Sequence, residues 1–356
     1  MTPQQLSLHE TVDNVFGELV AKLNSRQQPL AFDSAWLTLQ DLGIDTLFVS
    51  EEEGGFSGSW QDARIVFYLA GRHGLALPIC ETIVAKKLLL DLKLPIPEGP
   101  LTLGLSTPEA SLAIDSATEQ QTFSGELLAV PWGRNTNAVV TFCHGTTTDS
   151  LVLLKCSDSQ FNGGRANDAG EPRDNMQFHN SSVLGAAALP NAGEELLSIG
   201  ALMRASQMSG ALDSALQLSV EHVTNREQFG RPLAKFQAIQ QQLAVFAEEA
   251  AAVNCASQAA CEAQDHGNSC FEVAATKLRS NRAVGITTSI AHQVHGAIGF
   301  TKEYDLHLYT QRLWSWRAEF GNDRYWSRNL GKQVLAVKEE GFWNYMTARG
   351  DQLSQP

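Results

Sequence analysis

Arg226, Gln228 and Phe229 stand at the end of a long helical pattern rich in small residues, directly before Gly230 and Pro232. The Gly and Pro break that helix, and a new amphipathic pattern opens at Gln237. A guanidinium fixed at a helix end is a good partner for a phosphate group, because its planar fork meets phosphate oxygens two at a time. Near a helix C-terminus the same Arg is also favoured as a plain surface cation, through the helix dipole. Phe229 can pack on an aromatic ring or plug a core. Further along, Gln293, Gly296 and Gly299 close another helical pattern. Glycines there permit close backbone approach to a ligand, or simply mark a helix stop. His295 adds a titratable group, and a lone His in such a place is ordinarily structural.

Composition narrows the partners. The chain has 356 residues and a formal net charge of −13, with Lys and Arg scattered rather than clustered. That argues against a nucleic acid, although a few Arg side chains suffice for a nucleotide ligand. At 43% hydrophobic residues the chain can build a large core. The six cysteines form no CxxC pair and fit neither a zinc site nor a disulfide scaffold, so no metal is expected. Reduced thiols, no basic N-terminal region ahead of an apolar stretch, and no long apolar run together suggest a cytoplasmic protein without a membrane span.

These residues must be positioned by three blocks. Residues 1–100 read as helical, with a Glu- and Gly-rich turn at Glu51–Gly58 and a helix over Asp62–Gly74. Residues 101–190 switch to alternating, β-branched segments such as Ala138–Phe142 and Leu151–Leu154, the pattern of a compact antiparallel β domain. The polar stretch Ser157–Asp174 reads as a long loop. Residues 191–356 return to helical periodicity over Glu194–Thr224, Gln237–Asp265 and Glu272–Val294, and their small residues suit close helix packing. The expected class is α+β, mostly α: an N-terminal helical domain, a central antiparallel β domain and a C-terminal four-helix bundle.

The segments Arg226–Gln240 and Gln293–Glu303, in this order, resemble the signatures of the acyl-CoA dehydrogenase family of flavoproteins. The N-terminal turn resembles the family's Pro-Glu-x-x-Gly-Gly, with Ser50 in place of the Pro. The resemblance implies FAD as cofactor. It places Arg226, with Gln228 and Phe229, at the FAD pyrophosphate of a neighbouring subunit, and Gln293, Gly296 and Gly299 along the adenosine half. Ala297 stands at the second glycine of the family's Q-x-x-G-G-x-G motif. The flavin-ring motifs of the central domain are degenerate, and their contacts do not carry over.

The family reaction removes a proton α to a thioester carbonyl while a hydride leaves the β carbon. It needs a carboxylate base in a dry pocket. Aligned on Gly321, the usual Glu position holds Phe320, and Glu319 lies one residue early; the alternative position on the preceding helix holds Arg282. Three readings follow: Glu319 is the base, Glu303 or Asp305 reaches the pocket, or a partner supplies it. The implied function is α,β-dehydrogenation of an acyl-CoA with electrons passed to an electron-transfer flavoprotein. The alternative is a non-catalytic subunit that completes a partner's FAD site. The assembly is accordingly a homo-oligomer or a heterotetramer with a homologous subunit.

Overall fold

The computed structural model describes residues 1–25, 28–114, 120–145, 147–337 and 341–353. In chain order come helices α1 (Pro3–Leu23), α2 (Phe32–Asp41), α3 (Trp60–His73) and α4 (Ile79–Asp91). Strands β1 (Leu101–Leu103), β2 (Ser111–Ile114), β3 (Gln121–Pro131), β4 (Ala138–Cys143), β5 (Ser150–Lys155), β6 (Gln160–Gly164) and β7 (Arg173–Ala188) follow. Then come α5 (Ala192–Asn225), the short strands β8 (Glu227–Gln228) and β9 (Arg231–Pro232), α6 (Gln237–Asp265), α7 (Cys270–His295), α8 (Leu306–Ala318), α9 (Asp323–Ala336) and α10 (Phe342–Leu353). The expected order of helices, strands and helices is the observed one. Two compact units are woven from it. One holds residues 1–16, 60–74 and 204–356, the other 17–59 and 75–203.

The second unit is built on one sheet of order β1-β4-β5-β7-β3-β2, with β6 added against β7. Its pairings are antiparallel except β1 with β4, which run parallel. Phe123, Leu127, Val139, Val152, Met176 and Phe178 fill its core. The strand β6 corrects the expectation of a loop over Ser157–Asp174. Its Gln-Phe-Asn-Gly-Gly sequence is polar and mostly exposed, so no alternation announces it, and only pairing with β7 makes it a strand. In the same unit, a buried ion pair, Lys86 Nζ to Asp45 at 2.5 Å, ties α4 to the turn Ile44–Thr46.

The first unit packs α5, α6, α7 and α8 around Met208, Leu212, Phe246, Val253, Val284, Leu313 and Trp316. This is the bundle that the small-residue periodicity calls for. Helix α3 lies against α5 at backbone distance. A Cβ on Gly71 would meet the Gln207 carbonyl oxygen at 1.8 Å, and one on Gly210 would meet that of Tyr68 at 1.9 Å. Hydrogen bonds flank this crossing, the Tyr68 hydroxyl donating to the Asp213 carboxylate at 2.6 Å and the Ser214 hydroxyl to the Arg72 backbone carbonyl at 2.6 Å. The free amides of α3's first turn are capped from a distant element: Trp60 and Gln61 N–H donate to the Asp265 carboxylate at 2.7 and 3.2 Å. Among the described residues, no helix is long and apolar enough to cross a membrane.

Candidate functional site

Helix α5 ends at Asn225, and the chain then reverses in a two-residue hairpin that pairs Gln228 with Arg231. Phe229 and Gly230 both take positive φ, 55° and 76°, as a tight hairpin turn of this kind requires. Glycine does so freely, whereas a phenylalanine there carries strain. Phe229 is moreover 89% exposed, and meets Phe236 edge-on at 6.1 Å. The Arg231 guanidinium lies over the Phe236 ring at 4.1 Å. The hairpin is anchored to the helix end by Leu233 N–H donating to the Arg226 carbonyl at 2.9 Å.

At the end of α7 the chain turns at Gly296, whose φ of 65° favours glycine, with open space where a Cβ would stand. Gly299 has a different role: a Cβ there would come within 2.8 Å of the His295 Cβ, so its bareness lets the turn fold onto α7. Ala297 lies outside the left-handed region, so the methyl that replaces the motif's second glycine is accommodated without backbone strain.

The ends of α5 and α7 together form a cleft of about 920 Å³. Arg226, Gln228, Gln293 and Gly296 all line it, with Asn225 and the apolar Leu233, Ile239 and Ile298. Thus four of the six residues singled out in the two motifs converge. Gly299 is buried behind them, and Phe229 projects from the hairpin. Sequence reasoning missed the rest of the floor: His222, Tyr304 and the carboxylate of Glu221. The His222 ring stacks on His295 at 4.6 Å, and both meet Tyr304, at 6.0 and 4.9 Å. His222 precedes Arg226 by one helical turn, a signal that spacing alone could have supplied. His295 is only 5% exposed, with its Nδ1 2.7 Å from the Ala291 carbonyl. Burial lowers the pKa of both rings, and the neighbouring charges Arg226 for His222 and His222 for His295 lower it further, against the Ala291 carbonyl's upward pull on His295. No group of three or more His, Cys, Asp or Glu among the described residues is arranged to hold a metal ion.

Glu319 sits elsewhere, just past α8, where Phe320 (φ 51°) and Gly321 (φ 98°) turn the chain. Its carboxylate is ion-paired with Arg204 of α5 at 2.8 Å. Arg204 is 2% exposed, and its guanidinium lies over the rings of Trp316 and Phe320. Arg317 pairs with Asp323. Beneath this corner lies Lys277 of α7, fully buried, donating to the carbonyls of Trp316, Arg317 and Gly321 at 3.3, 3.1 and 3.2 Å. It thereby satisfies the free carbonyls at the end of α8. Burial pushes its pKa down to about 7, with Arg204 and Arg317 lowering it further and Glu319 opposing. Glu303 and Asp305 are both exposed and do not line the cleft.

Residues 191–335 match the acyl-CoA dehydrogenase C-terminal domain. The acyl-CoA dehydrogenase IpdE2 of Mycobacterium tuberculosis is 26% identical over 281 residues, spanning 79% of this chain and 80% of that protein. Among solved structures, the ChsE4–ChsE5 complex of Mycobacterium tuberculosis superposes with a TM-score of 0.84 at 18% identity, covering 95% of this chain and 98% of that one. The Tcur3481–Tcur3483 steroid ACAD gives 0.83 at 19% identity, covering 94% and 98%. At such identities the structural likeness speaks for the fold.

Proposed function

Starting from a chain that belongs to the acyl-CoA dehydrogenase family, we propose that it takes part in FAD-dependent α,β-dehydrogenation of an acyl-CoA thioester, with electrons passed to an electron-transfer flavoprotein. Within that reaction its task is to grip the diphosphate and adenosine half of FAD for a homologous partner subunit that carries the base. One observation carries this reading: Arg226, Gln228, Gln293 and Gly296 line one cleft, while Glu319 is held by Arg204.

The cleft's chemistry fits the cofactor. Arg226 offers the charge for a diphosphate, and the amides of Asn225, Gln228 and Gln293 offer donors for its oxygens and for sugar hydroxyls. Gly296 leaves open space at the corner, and Leu233, Ile239 and Ile298 give an apolar wall for an adenine. When bound, FAD would accept the hydride from the acyl β carbon. Phe229, strained and projecting, suits a contact made across a subunit boundary, since backbone strain is kept where the surroundings or a partner require it. The relatives in the ChsE4–ChsE5 complex and the steroid ACAD support a heteromeric assembly and a steroid-derived acyl group as the first substrates to try.

A second reading makes Glu319 the base. It is favoured by its place at the Gly321 corner and by the 18% of its side chain still exposed. The test is to purify the chain alone and with its homologous partner, and to follow flavin bleaching on adding steroidal, short, long and aromatic acyl-CoAs. The partner-base reading expects bound flavin and bleaching only in the complex, with Glu319→Gln reducing normally. Loss of bleaching in Glu319→Gln with flavin retained would move the base to this chain. A chain and complex that both emerge colourless from gel filtration after incubation with excess FAD would end the cofactor reading.

A further inference from the structure

We infer that His222 is a proton-coupled member of the diphosphate grip: it takes up a proton as the anion settles beside Arg226. The identity of the anion rests on the FAD reading above. His222 and Arg226 are one turn apart on α5 and line the same cleft. Among the described residues, neither ring nitrogen of His222 is held by a protein hydrogen bond. The ring is nonetheless fixed in its plane, stacked on His295 with 25° between the planes and met by Tyr304 edge-on. His295 is buried and turned to the Ala291 carbonyl, so it serves as backing while His222 keeps its nitrogens for the cleft.

The charged and titratable groups around His222 are Glu221 and Arg226 on α5, His292 and His295 on α7, and Tyr304 before α8. Without ligand, burial and the Arg226 charge disfavour the imidazolium. A diphosphate reverses both influences. Its charge offsets that of Arg226, and its oxygens accept the hydrogen bond that an imidazolium nitrogen donates. The free ring's pKa is lowered and the bound ring's is raised. Affinity therefore climbs as pH falls through the bound value, and levels off below the free one. One linked proton allows at most about a tenfold change in affinity per pH unit.

The experiment is calorimetric titration of FAD into the apo form of the assembly that contains this chain, at roughly pH 6, 7 and 8, where histidine titrates. Two buffers of different ionisation enthalpy report the protons taken up. The diphosphate of FAD is a diester and does not titrate there, so the uptake belongs to the protein. Wild-type protein should gain affinity at least about threefold from the highest to the lowest pH, with net proton uptake near the middle. His222→Phe, which keeps the stack, and His222→Gln, which keeps a neutral donor, should abolish both the slope and the uptake, while His295→Phe keeps them. FAD binding with no proton uptake, or uptake unchanged in both His222 variants, overturns the inference and leaves the cofactor reading standing. Absent FAD binding at every pH, or binding indifferent to Arg226→Ala, overturns the cofactor reading itself.

Discussion

Replacing Lys277 with Met should change the pH dependence of stability more than stability at neutral pH. Lys277 has its ammonium fully buried against the carbonyls that end α8. Its pKa falls from 10.5 in the free side chain to about 7 in the fold, chiefly through burial. Between those values the unfolded chain binds the extra proton and the folded chain does not, so stability rises with pH across that window. Below about 7 both states are protonated and the full desolvation penalty applies. Each pH unit of the window is worth about 1.4 kcal/mol, giving an upper bound of about 5 kcal/mol across it. Lys277→Met removes the titration. It also leaves the carbonyls of Trp316, Arg317 and Gly321 without this donor, at a cost on the order of 1–3 kcal/mol for a buried group. Loss of the desolvation penalty offsets part of that cost near neutrality. The assay is urea denaturation of both proteins at several pH values from neutral to about 10. The difference, wild type minus variant, should grow with pH. A difference that stays flat or shrinks above neutrality would mean that the carbonyls and Glu319 keep the lysine charged, and the burial argument would fail.

Arg226 and Arg204 should behave in opposite ways. Arg226→Ala, at an exposed position, should shift stability by less than about 0.5 kcal/mol yet release FAD on gel filtration. Arg204→Met should lower stability by about 3 kcal/mol in a denaturation series, because it removes a buried guanidinium that pairs with Glu319 and bonds Gln207; equal stability losses in the two variants would contradict the placement of both. Gly71→Ala should cost about 3 kcal/mol, since its methyl would land 1.8 Å from the Gln207 carbonyl and force α3 away from α5. An unchanged urea midpoint there would refute that close crossing. Gly296→Ala meets open space, so its cost is the left-handed backbone alone, about 1 kcal/mol, and its larger effect should be weaker FAD binding by calorimetry.

The long helices were legible because each carries its own evidence. The stretch Gln237–Asp265 was read from periodicity and observed with the same bounds. The hairpin after α5 was visible as a Gly and Pro break, although nothing local required Phe229 to take a left-handed backbone. Strand β6 was not legible, because an exposed edge strand of Gln, Asn and Gly has no hydrophobic face to alternate. The cap that Asp265 places on α3 was equally hidden, since its partners lie in a remote segment.

The amino-acid order by itself determined where helices start and stop, because periodicity, glycine and proline act within a few residues, and it marked Arg226 and Gln293 as residues of interest. Only the tertiary structure decided which of the marked residues meet. It brought the ends of α5 and α7 to one cleft, put the His222–His295 stack on its floor, and paired Glu319 with Arg204, more than a hundred residues away in the chain. Those pairings depend on the crossing of packed helices, set by shape and burial summed over the whole bundle, and no local stretch of sequence encodes them.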